Sequence, residues 1–237
     1  MENIIEIDNL TKEFKDKKAV DGITLDIGCG IHGLVGPNGA GKTTFLKLLA
    51  GLIRPGSGSI SFRGRNIKDM GSEYNRHISY MPQEFGFYPF YTGFEIMDYF
   101  RILKESDENK EKIYEILENV NLTDKADKKI RTYSGGMKRR LGIATMLLGK
   151  PDLMIFDEPT AGLDPEERVR FKKILSTLST DRAIIVSTHI LSDVESLCDK
   201  IYFMENGRIV RQLDSIEKER RITGDLEDKY MEIMGKQ

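Results

Sequence analysis

Three short stretches hold residues whose types and spacing could do chemistry. In GPNGAGKT, Gly36 to Thr43, the glycines let backbone N–H groups turn inward around phosphate oxygens, and Lys42 can reach β and γ phosphates. The Thr43 hydroxyl suits magnesium, and the apolar run FLKLLAGL just behind it adds the positive end of a helix dipole. Gly36, Pro37, Asn38, Gly39, Ala40, Gly41, Lys42, Thr43 and Thr44 are therefore the nucleotide-binding candidates. In LMIFDEP, an apolar strand ends in Asp157 and Glu158. Asp157 suits support of magnesium, and Glu158 suits a general base that polarises an attacking water. Two solvated acids at a strand end would look the same in isolation; behind a phosphate loop the catalytic reading is preferred. The third stretch is TYSGGMKRR, residues 132 to 140. Each glycine in a helix costs roughly 1 kcal/mol relative to alanine, and cations in a first turn oppose the helix dipole, so local stability explains SGG followed by three cations poorly.

Elements that could position these residues are legible around them. IHGLVG (31 to 36), LMIF (153 to 156) and AIIVST (183 to 188) are compact apolar runs, each leading to a plausible helix start, which predicts a parallel sheet with helices on both faces. Residues 2 to 8, 20 to 27 and 58 to 62 read as a small antiparallel β region. Thr92 with Glu95, Asp164 with Glu167, and Ser192 with Glu195 have the spacing of helix caps. Between the first two buried strands lies a mostly helical insert. Ile113, Ile116, Leu117 and Val120 mark one of its amphipathic helices, and Leu141, Ala144, Met146, Leu147 and Leu148 the apolar side of the helix that SGG introduces. Leu226, Tyr230, Ile233 and Met234 predict a short tail helix. The whole reads as one domain over 1–237: a core of about 1–84 and 151–212, an insert of about 85–150 and a tail of about 213–237.

The 237 residues carry 36 Lys plus Arg against 38 Asp plus Glu, so the net charge of -2 gives no general attraction to nucleic acid or to an anionic membrane. Any phosphate binding must be local, and no nucleic-acid partner is expected. Cys29 and Cys198 stand alone, so neither a disulfide framework nor a zinc site is indicated, and a reducing cytoplasm fits best. The amino-terminal MENIIEIDNL lacks the character of a signal peptide, and no run approaches the roughly 18 apolar residues of a membrane span.

The phosphate loop and the acidic pair do not choose among kinases, GTPases and ATPases. The guanine-reading [NT]KxD pattern is absent, since TKEF places Phe14 and NKEK places Lys112 where the aspartate would stand, so adenine is the better base. Read together with YSGGM, the two motifs make the chain similar to the nucleotide-binding subunits of ABC transporters, whose signature is LSGGQ; the resemblance covers about residues 4 to 210. It implies a P-loop NTPase α/β fold: a parallel sheet core with an N-terminal antiparallel β subdomain and an inserted helical subdomain. It also implies ATP and Mg2+ as ligands. Phe14 resembles the aromatic that stacks on adenine, Gln83 the glutamine that touches magnesium and water and senses the membrane partner, and His189 the switch histidine at the γ-phosphate. With Glu158, Gln83 and His189 form the expected catalytic set, while Thr43, Gln83 and Asp157 are the expected metal set. His32 and His77 are read as structural. AGLD resembles the loop that crosses between subunits, with Asp164 at the interface, although a helix cap explains Asp164 equally well.

In the family, two such subunits face each other head to tail, so Ser134, Gly135, Gly136 and Met137 would serve the partner's ATP. Met137 stands where glutamine is commoner, which backbone and serine donors can tolerate. Lys138, Arg139 and Arg140 fit either a solvated basic face or phosphate attraction. The resemblance implies a homodimer or a paired ATP-binding subunit. It would sit on the inner face of the cell membrane through integral permease subunits, which meet it near Gln83 and the aromatic stretch FGFYPFYTGF; those aromatics could equally pack the helical insert. The wording SGGMKRRL resembles exporters more than importers. A soluble ABC-type ATPase that moves no solute, for example in iron-sulfur assembly, is the alternative; a P-loop kinase would have no use for YSGGM or STHI.

Overall fold

Alternation at the amino-terminal end yields a strand that buries one face: Ile5, Ile7 and Leu10 are buried, Glu6, Asp8 and Asn9 exposed. The structure is a computed structural model that describes residues 3–15, 17–178, 181–195 and 197–214. Its strands are β1 (Ile5–Phe14), β2 (Lys17–Ile27), β3 (Gly30–Val35), β4 (Ser57–Phe62), β5 (Arg65–Asn66), β6 (Ile78–Met81), β7 (Leu153–Asp157), β8 (Ala183–Thr188), β9 (Lys200–Glu205) and β10 (Arg208–Asp214). Its helices are α1 (Lys42–Leu49), α2 (Ile67–Met70), α3 (Gly93–Leu103), α4 (Lys110–Asn119), α5 (Gly135–Leu147), α6 (Pro165–Leu178) and α7 (Leu191–Glu195).

The strands form two sheets, an antiparallel one in the order β2-β1-β4-β5 and a second in the order β10-β9-β3-β8-β7-β6. In the second sheet β9, β3, β8, β7 and β6 run parallel, and β10 is an antiparallel edge. Its central strands are mostly apolar because both faces are covered. Leu153 and Ile155 of β7 and Ile185 of β8 pack with Phe45, Leu46 and Leu49 of α1 and with Ile5 and Ile7 of the antiparallel sheet. Met154 and Phe156, with Ile184 and Val186, pack on the opposite face with Leu141 and Ala144 of α5 and Phe171 of α6. The expected mixed α/β architecture is thus present, with four strands the sequence reading did not anticipate: β5, β6, β9 and β10.

Local chemistry explains most helix starts. Thr92 accepts from the Glu95 amide at 3.1 Å while the Glu95 carboxylate accepts from the Thr92 amide at 2.7 Å, a complete capping box. Asp164 accepts from the Glu167 amide at 2.8 Å. The Ser192 cap is corrected: α7 already begins at Leu191, and the turn ahead of it is held by the Thr188 hydroxyl, which accepts from the Ile190 amide at 3.0 Å. The predicted tail helix with Leu226, Tyr230, Ile233 and Met234 lies outside the described residues, and Leu213 and Asp214, its expected first residues, instead close β10. Among the described residues, no helix is long and apolar enough to cross a membrane.

Candidate functional site

Parallel register brings the chemical residues to one edge of the sheet. Val35 pairs with Thr188, Asp157 with Ser187, and Phe156 with Met81. The segments that leave β3, β7, β8 and β6 at their carboxyl ends therefore deliver Gly36, Glu158, His189 and Gln83 to the same side, where parallel α/β sheets bind ligands.

The phosphate loop is shaped by close packing. Gly41, at φ 108°, is in a conformation that side chains rarely adopt, and a Cβ there would be driven into the Ala19 carbonyl oxygen. Pro37, Asn38 and Gly39 are exposed, so the loop's outer rim is open to a ligand. Lys42 is 6% exposed; its Nζ donates to the Gly36 carbonyl at 2.7 Å and the Pro37 carbonyl at 3.3 Å, and lies 3.3 Å from Glu158 Oε1. Glu158 is itself buried and its other oxygen, Oε2, lies 2.9 Å from His189 Nδ1. His189 is half exposed, at 50%. One carboxylate thus joins the phosphate-loop lysine to the histidine.

Asp157 is buried at 1% exposure and is held through both oxygens: Ser187 Oγ donates to Oδ1 at 2.7 Å, and the Tyr80 hydroxyl lies 3.5 Å from Oδ2. Burial first, and then the Asp157 charge, push the Tyr80 hydroxyl above its ordinary pKa. Glu158 follows with a φ of +48°, left-handed for a residue that has a side chain. Ser187 and Tyr80 escaped the sequence reading. The available signal for Ser187 was a hydroxyl in the polar last two residues, Ser187 and Thr188, of an otherwise apolar strand at the sheet's carboxyl edge; Tyr80 became visible only once β6 was known.

Other expected site residues stand apart from this cluster. Phe14 closes β1 and is 50% exposed, with Lys12 Nζ 5.2 Å from its ring centroid. Gln83 is exposed just beyond β6. Ser134 caps α5 by accepting from the Met137 amide at 3.1 Å. A Cβ on Gly135 would meet nothing within 4 Å, so open space lies before that residue, whereas Gly136 packs against Glu167, whose carboxyl carbon is 2.5 Å from where a Cβ would stand. Among the described residues, no hydrogen bond or ion pair joins residues 134–137 to residues 36–44.

The three cations behind the signature divide in a way neither sequence reading foresaw. Lys138 is exposed, but Arg139 and Arg140 are buried and bind the fold. Arg139 donates to the carbonyls of Gln83 and Ala161, both at 3.4 Å, and its guanidinium lies 5.2 Å from the Phe85 ring; burial lowers its pKa. Arg140 donates to the carbonyls of Val120 and Asn121 at 3.0 Å and pairs with Glu167 at 3.4 Å. The aromatic stretch divides too. Phe85, Phe87 and Phe94 pack on the core, whereas Tyr88, Phe90 and Tyr91 are exposed beside Tyr99, Ile102 and Leu103 of α3.

Comparison with known proteins agrees with this arrangement. A family model described as "ABC transporter" matches residues 20–161. The ABC transporter ATP-binding protein YxlF of Bacillus subtilis, described as uncharacterized, is 40% identical over 87% of this chain and 69% of that protein. The Nod factor export ATP-binding protein I of Burkholderia lata is 36% identical over 88% of this chain and 70% of that protein. The solved ATP-binding subunit of an ABC transporter superposes with a TM-score of 0.84 at 26% identity, covering 98% of this chain and 99% of that one. A dimeric bacterial ABC transporter cassette, at 24% identity and a TM-score of 0.79 over 89% of this chain and 98% of that one, shares the fold. The phosphate loop, the acidic strand end and the histidine edge therefore belong to an ATPase, and the chain is a member of the ABC transporter ATP-binding protein family.

Proposed function

We propose that this chain dimerises around two ATP molecules and that their binding and hydrolysis drive solute movement through separate membrane-spanning subunits. The observation that carries the reading is a division of labour. Lys42, Glu158 and His189 are linked within one chain, while Ser134 and Gly135 form an exposed, capped helix start with no hydrogen bond or ion pair to that chain's own phosphate loop. Such a helix start suits an anion brought from outside, and the phosphate of a facing subunit's ATP has that chemistry. The dimeric state of a fold neighbour supports the same reading.

In this mechanism the triphosphate displaces Glu158 from Lys42. Phe14 stacks on adenine, residues 36–44 wrap the phosphates, and His189 donates to the γ-phosphate. The released Glu158 accepts a proton from a water whose oxygen attacks the γ-phosphorus, as the bond from phosphorus to the bridging oxygen of ADP breaks. Magnesium fits the residues present: Thr43 offers a hydroxyl, Gln83 an amide oxygen and Asp157 a carboxylate, the sparse oxygen set this ion accepts beside phosphate. When bound, it would neutralise charge between the phosphates.

We assign 1–237 to a single nucleotide-binding domain, with Asp164 at the dimer interface as well as at its helix cap. We take the exposed side chains of Tyr88, Phe90, Tyr91, Tyr99, Ile102 and Leu103 as the permease-facing surface, a reading that goes with a subunit on the inner face of the membrane and is supported by their exposed apolar area. Export is the better match among directions, on the resemblance of SGGMKRRL and on the export role of one relative. The test is Glu158→Gln. It is expected to slow hydrolysis and to give ATP-dependent dimers on gel filtration; unaffected hydrolysis, or dimers that never form with ATP, contradicts the reading.

A further inference from the structure

We propose that Ser187 is a positioning residue for hydrolysis, its hydroxyl fixing the peptide between Asp157 and Glu158 and so aiming the glutamate carboxylate. The inference rests on the reading of Glu158 as the general base. Ser187 is fully buried at 0% exposure, and the pairing of β7 with β8 sets it directly opposite Asp157. Its Oγ donates to Asp157 Oδ1 at 2.7 Å and accepts from the Glu158 amide at 2.9 Å. One hydroxyl therefore holds both residues of the acidic pair.

That hold matters because Glu158 occupies left-handed backbone, with φ at +48°, which a side-chain-bearing residue keeps only where its surroundings over-determine it. The amide bond to Ser187 is one such constraint at the residue itself. From this backbone the Glu158 carboxylate reaches Lys42 at 3.3 Å on one side and His189 at 2.9 Å on the other, so a small rotation of the peptide would displace it from both. Core packing alone does not call for serine here. The four preceding residues of β8, Ala183, Ile184, Ile185 and Val186, are apolar and buried, only Ser187 and Thr188 at its carboxyl end carry hydroxyls, and a serine that merely filled space could be alanine. Asp157 Oδ1 is also pinned by this bond, which leaves Oδ2, 3.5 Å from the Tyr80 hydroxyl, as its less committed oxygen.

The experiment compares Ser187→Ala, Ser187→Cys, Glu158→Gln and the Ser187→Ala/Glu158→Gln double variant by kcat, KM for ATP, affinity for a fluorescent ATP analogue, and thermal unfolding. Hydrogen bonds to charged groups are strong enough for Ser187→Ala to lower kcat about 10- to 100-fold. Nucleotide affinity should stay within about 3-fold, because the Ser187 hydroxyl bonds the Glu158 amide and Asp157 and makes no hydrogen bond to residues 36–44. Ser187→Cys keeps the volume but not the strong hydroxyl and should be slowed similarly. In the Glu158→Gln background, Ser187→Ala should add less than about 3-fold, since two residues acting through one step are non-additive. Ser187→Ala or Ser187→Cys at wild-type kcat, or a fully additive double variant, overturns the inference while leaving Glu158 as the base. Unimpaired hydrolysis by Glu158→Gln itself overturns both.

Discussion

Buried His32 makes the fold sensitive to acid, and its effect on stability can be worked out in advance. It lies in β3, four residues before Gly36, and is 2% exposed. Its Nε2 is 3.0 Å from the Gly28 carbonyl, which can only accept, so Nε2 carries the proton and Nδ1 accepts from the Tyr202 hydroxyl at 3.2 Å. Burial lowers its pKa from 6.5 to about 4, against a smaller opposing contribution from the bond to Gly28; the Lys200 charge lowers it further and the Asp199 charge raises it. Between those two values the unfolded chain binds more protons than the folded one, so stability is full above pH 6.5 and falls as the pH drops toward 4. The limiting loss is about 3 kcal/mol, of which about 1.4 kcal/mol is already lost at pH 5.5. Against a typical total of roughly 5–15 kcal/mol this is measurable. The variant His32→Gln keeps a donor for Gly28 and cannot titrate. Urea unfolding of both proteins from pH 7.5 to 4.5 is expected to show a wild-type curve that falls more steeply below pH 6.5, the two differing by about 2–3 kcal/mol more at pH 4.5 than at pH 7.5. Parallel curves would refute the claim that burial holds His32 neutral in the folded protein.

Other predictions follow from single contacts. Phe14→Ala should weaken ATP binding about 10-fold, because base–aromatic stacking contributes roughly 1–3 kcal/mol, while Phe14→Tyr should bind like the wild type; titration with a fluorescent ATP analogue decides it. Arg140→Ala should destabilise the fold by about 3 kcal/mol in chemical denaturation, since it removes one partner of a buried pair with Glu167 and strips the Val120 and Asn121 carbonyls of their donor. Lys138→Ala should leave stability within about 0.5 kcal/mol, as expected of the exposed member of the three cations.

Much of the site was legible because its elements obey local rules. A buried parallel strand must be apolar on both faces, and a phosphate-binding turn must be glycine-rich, so β3, β7 and β8 and the residues at their ends stood out. The short β6 did not, because sheet pairing rather than local pattern makes it a strand, whereas the β9–β10 hairpin carried a readable signal, Asn206-Gly207 between apolar runs, that the sequence reading passed over. Ser192 had the spacing of a cap, but Thr188 claims the turn from one strand end earlier. Arg139 and Arg140 were illegible for a different reason. Adjacent cations after a glycine turn read as surface, and only the tertiary fold supplies the backbone carbonyls of Gln83, Ala161, Val120 and Asn121 that let them be buried. Two of the three cations behind SGG therefore anchor α5, while Gly135 at its head faces open space and Gly136 packs on Glu167.

That open face carries the central claim, that each ATP site is completed by a second chain, and subunit mixing tests it most directly. A Lys42→Ala subunit lacks phosphate binding, and a Ser134→Arg subunit blocks the signature. If sites are shared, a mixed dimer has one site with both defects and one with neither. ATPase activity should then rise above that of either variant alone, toward half the wild-type rate per dimer. Confirmed mixed dimers with no recovery of hydrolysis would place each site within a single chain and contradict the account.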